Sequence, residues 1–154
     1  MNQPNDRQEV LNAVHAYFCA ADARDWDTYR RLHADRVEVD FGGVNDKSAG
    51  EIAADDMLRS ARELLGPVHL TQHMIGNEVV TVDGDEATVA FYEQALHHHP
   101  ALGDDPGINT WILYARGQHR WARADGGWRL VAASLIPVHH TGNADLLADV
   151  ARAG

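Results

Sequence analysis

The chain has 154 residues, with 13 Lys and Arg against 23 Asp and Glu, a formal charge of -10. That length suits one domain able to bury a core without disulfides or metal. The acidic balance, with no block of like charge, argues against nucleic acid or an anionic membrane surface as partner. The opening MNQPNDRQEV lacks the basic and apolar stretches of a signal sequence, no run of about eighteen apolar residues occurs, and Cys19 is the single cysteine; a cytoplasmic protein without an intrachain disulfide is expected.

Asp6 followed by Glu9 resembles a capping box, which predicts a helix over 7–23 with an apolar stripe of Leu11, Val14, Phe18 and Ala21. Cys19 reads as a small core residue on that helix. Asp25 can cap a second helix through WDTYRRLHA, and RVEVDFGG then alternates as a short strand. Ser48 and Glu51 suggest another capping box for a helix over 52–65, closed by Gly66 and Pro67. From Val68 the period drops to two, predicting strands over 68–82, 87–96, 109–124 and 128–138, with hairpin turns at VDGDE and ADGGW and an irregular loop over 97–109. The last residues, NADLLADVARAG, fit one short helix. Helices followed by a run of strands point to an α+β fold, a curved antiparallel sheet on N-terminal helices. Such a cone can leave a pocket in its interior.

Two ionisable residues stand out. In LTQHMIGN, His73 interrupts an otherwise apolar strand. The four-residue turn pairs Val82 with Ala87 and Val80 with Val89, and continued regularly it sets His73 on one face with Tyr92, Gln94, Leu96 and His98. That face is polar and aromatic, as a pocket requires, but a structural histidine bound to a carbonyl fits equally. Asp22 lies eleven residues from Leu11, about 20° away around the helix, so a carboxylate ends the apolar stripe unless it caps the next turn. Together they compose a dyad in which Asp fixes the imidazole while the other ring nitrogen takes a proton. No serine or cysteine motif accompanies them, so proton abstraction fits better than acyl transfer. Ten histidines raise the question of metal. Along a strand His97 and His99 share a face that His98 does not, nothing resembles HExxH, and no metal site is expected. Tyr17, Phe41 and Trp111 are candidate pocket walls.

The stretches AADARDWDTYRRLHADRVEVDFGG, TQHMIGNEVVTVDGDEATV and DGGWRLVAASL resemble the SnoaL-like branch of the nuclear transport factor 2-like superfamily, scytalone dehydratases in particular, over about residues 8–138. The resemblance implies a cone-shaped α+β barrel with a deep hydrophobic pocket, no cofactor, a small hydrophobic substrate or ligand, and a homodimer or homotrimer. It makes His73 and Asp22 a dyad for β-elimination, as in the similar hexachlorocyclohexane dehydrochlorinases. It puts a second pocket histidine on His98 or His99, and the regular register favours His98 as proton donor to the leaving group. Two water-holding tyrosines of the dehydratases fall on Ala21 and Phe41, and a pocket asparagine near Gly117, which argues against scytalone itself as substrate. A lyase is expected, with an isomerase or polyketide cyclase, a related epoxide hydrolase, or a non-catalytic binding module as alternatives.

Overall fold

The structure, a computed structural model, describes residues 3–42 and 49–153. Helix α1 (Gln3–Ala23) and helix α2 (Trp26–Arg31) are followed by strands β1 (His33–Asp40) and β2 (Gly50–Ala53), then helix α3 (Ala54–Leu65). Strands β3 (Leu70–Asp83) and β4 (Glu86–His98) form the first long hairpin. A 3-10 turn at Pro100–Leu102 and the one-turn α4 (Pro106–Asn109) lead into β5 (Thr110–Ala124) and β6 (Gly127–Gly142), and α5 (Leu146–Ala153) ends the chain.

The strands make one curved, unclosed sheet in the order β2-β1-β6-β5-β4-β3. All neighbours are antiparallel except β1 and β6. This is the expected cone. Val10, Val14, Tyr17, Phe18 and Ala21 of α1 pack with Val80, Val89, Phe91, Trp121 and Leu130 of the sheet in the main core, and a smaller cluster gathers Trp111, Leu113, Leu146 and Val150 beneath α5.

Several local expectations change. Asp6 is not the cap of α1, which begins at Gln3; it lies buried in the first turn, paired with Arg123 at 2.9 Å. Cys19 is exposed, because the phase that buries Val14, Phe18 and Ala21 turns the next position outward. Asp25 does cap α2, accepting from the Thr28 amide at 3.1 Å, but His33 already belongs to β1. Ser48 lies outside the described residues, and Glu51 belongs to β2, so α3 starts two residues later than expected, after Ala53.

The largest change is in β3. Val82 pairs with Ala87 and Val80 with Val89, but the register shifts by one between Gly76 and Val79, and Asn77 takes a positive φ of 55°. An extra residue in a strand reverses the facing of everything beyond it. His73 therefore sits opposite Ala95 and shares the inner face with Ile75, Val80 and Val82, while Met74 and Val79 are exposed.

Candidate active site

Helix α1 presents Tyr17, Phe18, Ala21 and Asp22 to the sheet, since residues three and four apart lie on one helical face. Asp22 falls in the last turn, where the helix dipole disfavours a carboxylate. Other donors offset this. Thr71 Oγ1 donates to Asp22 Oδ1 at 2.9 Å, and the His73 amide donates to Oδ2 at 2.8 Å. His73 Nδ1 lies 2.6 Å from Oδ1. Burial alone would raise the Asp22 pKa, but the hydrogen bonds and charge of His73, with the Thr71 hydroxyl, hold it below the usual carboxylate value.

The turn after α1 keeps this arrangement in place. Asp25 N–H reaches Ala20 C=O at 2.9 Å and Arg24 N–H reaches Ala21 C=O at 3.2 Å, a Schellman closure with Arg24 in the left-handed position at φ 59°. Glycine is usual there. Arginine instead uses its guanidinium, which donates to the carbonyls of Ala21, Asp22 and Val68 and to Thr71 Oγ1. Arg24→Ala should lower stability by about 2 kcal/mol through lost hydrogen bonds, and Arg24→Gly by roughly 1 kcal/mol less, because only glycine relieves the backbone cost. Thermal melts of the two variants check the order.

Below the dyad lies an apolar cavity of about 180 Å³, on the scale that holds a single benzene-sized ring. Tyr17, Phe41 and Trp111 all line it, as expected of pocket walls. His73 lines it too, its ring 5.7 Å from that of Phe18. With Nδ1 engaged by Asp22, Nε2 is the ring nitrogen without a hydrogen-bond partner among the described residues. A neutral imidazole held this way has its acceptor nitrogen available to a bound molecule.

His98 does not line the cavity; its Nδ1 lies 3.1 Å from Thr110 Oγ1. His99 does not line it either, and caps the following 3-10 turn. The bulge at Asn77 puts His97 inside instead, 4 % exposed, stacked on Trp111 with centroids 4.7 Å apart and edge-on to His73 at 5.8 Å. Burial first, then the nearby His73, lowers its pKa to about 4. His97 is thus neutral near pH 7.

Four further inward-facing residues escape the sequence reading. Glu93 lines the cavity, and burial pushes its carboxyl up, with Asp22 adding to that and His73 opposing it. Tyr17 and Tyr29 join hydroxyls at 3.2 Å, and burial raises both, Tyr29 to about 12. His33 and His119 surround Tyr17, and desolvation lowers them to about 4 and about 3. Gly117 is not a cavity residue: a Cβ there would overlap the Phe91 ring, and His119, two positions on, lines the cavity. Among the described residues no three metal-ligating side chains converge.

Residues 3–133 match the SnoaL-like domain family. The chain belongs to that family. A scytalone dehydratase of Aspergillus fumigatus is 26% identical over 123 residues, spanning 75% of this chain and 71% of its own. The Kfla4162 protein of Kribbella flavida has the same fold at a TM-score of 0.87, with 29% identity over 96% of this chain and 99% of its own. A hexachlorocyclohexane dehydrochlorinase superposes at 0.74 with 18% identity, covering 90% and 89%, which is a likeness of fold. This SnoaL-like domain therefore has the nuclear transport factor 2-like cone that the sequence suggests.

Proposed function

We propose that this SnoaL-like domain is a lyase that needs no cofactor. His73, oriented by Asp22, removes a carbon-bound proton from a small hydrophobic ring or polyketide-like molecule, and water or halide leaves from the adjacent carbon. The observation that carries the reading is the 2.6 Å contact between Asp22 Oδ1 and His73 Nδ1, with the ring at the edge of an apolar cavity. It supplies a base with one ring nitrogen held by a carboxylate at the wall of an apolar cavity, which suits proton transfer from carbon. General base catalysis contributes about 10²- to 10⁴-fold, and the snug walls of Tyr17, Phe41 and Trp111 add positioning. The dehydratase relative supports elimination over other outcomes of the same base. His97, which lines the cavity and stacks on Trp111, supports this reading as a second pocket histidine.

Product analysis in deuterated water tests the reaction type. Elimination yields an unsaturated product with loss of water or halide. An isomerase or cyclase would retain the leaving group or close a carbon–carbon bond, and either product would displace the lyase reading. A cytoplasmic location and a homodimer or homotrimer belong to the same proposal, the association supported by the exposed apolar Met74, Val79, Tyr92, Ile136 and Val138. No helix among the described residues is long and apolar enough to cross a membrane.

A further inference from the structure

The inner face of β4 surrounds His73 in an ordered way. Its direct cross-strand partner is Ala95, a small residue, and the diagonal neighbours two positions to either side are Glu93 and His97. Both side chains line the cavity. Two groups able to carry a proton thus flank the proposed base, one toward each end of the hairpin.

They differ in what they are bound to. His97 is stacked on Trp111 and is a neutral ring near pH 7. Glu93 is 9 % exposed, sits in the middle of the sheet between Ile75 of β3 and Ala115 of β5, and has no hydrogen-bond or ion-pair partner among the described residues. Nearby charges act on it from two elements: Asp22 on α1 and His73 on β3. Glu93 in turn acts on Tyr17 of α1, so its charge is felt on both sides, by the dyad and by Tyr17. An ionised carboxylate without a donor, close to a second carboxylate, is expensive. A protonated carboxyl avoids that cost and becomes an O–H donor facing the cavity.

We infer that Glu93 is a catalytic acid, giving its proton to the oxygen that departs as His73 takes the proton from the neighbouring carbon. This rests on the reading of His73 as base. In the step, His73 Nε2 gains the carbon proton, the C–H pair becomes the new C=C bond, and the C–O bond breaks with its electrons on oxygen. Glu93 protonates that oxygen, so water leaves. The carboxylate and imidazolium left behind restore the starting state when the proton passes from His73 to Glu93. Opposed proton affinities of neighbouring groups are the usual arrangement for paired acid and base. A consequence follows for the leaving group. Hydroxide must be protonated to leave, whereas chloride leaves as a stable anion, so Glu93 serves alcohols and is dispensable for halides.

The experiment uses two probes with one product, 3-hydroxycyclohexanone and 3-chlorocyclohexanone, both giving 2-cyclohexenone. Glu93→Gln keeps the shape and neutrality of the protonated side chain but has no proton to transfer. It should lower kcat/KM on the alcohol by about 10²-fold or more and leave the chloride within about threefold. Equal loss on both probes, or loss on neither, overturns the role of Glu93. His73→Ala should slow elimination from both by about 10²- to 10⁴-fold; unchanged rates on both would overturn the base reading itself, whatever Glu93 does. The proton on Glu93 is read without substrate by carboxyl ¹³C shifts of glutamate-labelled protein, assigned with Glu93→Gln. Glu93 should titrate above the ordinary carboxylate range, and titration within or below that range overturns the inference.

Discussion

Asp22→Asn is expected to lower kcat/KM by about 10³- to 10⁴-fold in a protein that still folds. The reason lies in how the carboxylate is pinned. The His73 amide donates to Oδ2, while Oδ1 meets both His73 Nδ1 and Thr71 Oγ1. In the variant the backbone donor selects the amide oxygen, which leaves the NH₂ group facing Nδ1. That nitrogen must then accept, the ring proton moves to Nε2, and the base faces the cavity with its proton already on. His73→Ala removes the base outright and should cost about 10²- to 10⁴-fold. Circular dichroism and thermal melts separate these losses from unfolding, and full activity in either variant would refute the dyad.

Stability should collapse in mild acid. His33, His97 and His119 are buried and lie at about 4, about 4 and about 3, against an unfolded value of 6.5. Between those values the unfolded chain binds protons that the native state refuses. Stability is therefore full above about pH 6.5 and lost as the pH falls toward 4. A shift from 6.5 to about 4 corresponds to roughly 3 kcal/mol for each ring. Glu93 works in the opposite direction, since its raised pKa makes ionisation costly as pH rises above the ordinary carboxylate range. Asp22, lowered, adds stability that disappears only as the pH falls below about 3.8 and through its folded value. Urea midpoints measured from pH 7.5 to pH 4 should drop steeply, and less so in His119→Phe, whose ring would join the Phe18 and Phe91 contacts. A flat profile in the wild type would show that these histidines are not held neutral.

Most of the architecture was legible in the sequence because it depends on local chemistry: the Asp25 cap, the Gly66 stop, and the Asp-Gly turns that close both long hairpins. The position of Asp22 followed from helical phase. The face of His73 did not follow, although the signal was present. Gly76-Asn77 inside a strand marks a bulge, since both residues tolerate backbone shapes that others resist. The bulge reverses the facing of β3 beyond it, so His97 and not His98 turns inward and Glu93 faces the cavity. The cluster of Tyr17, Tyr29, His33 and His119 was beyond local reading for a different reason. Its members come from α1, α2, β1 and β5 and are neighbours only in the folded chain. Cys19 shows the limit of composition: residue type suggested the core, and helical phase decided otherwise.

If His73 presents a bare nitrogen to the cavity, ¹⁵N NMR of its imidazole in the wild-type protein reads it directly. The neutral ring should carry its proton on Nδ1, toward Asp22, with Nε2 unprotonated. A neutral ring with the proton on Nε2 would overturn the role of His73 as base, because its bare nitrogen would then be Nδ1, facing Asp22 and not the cavity.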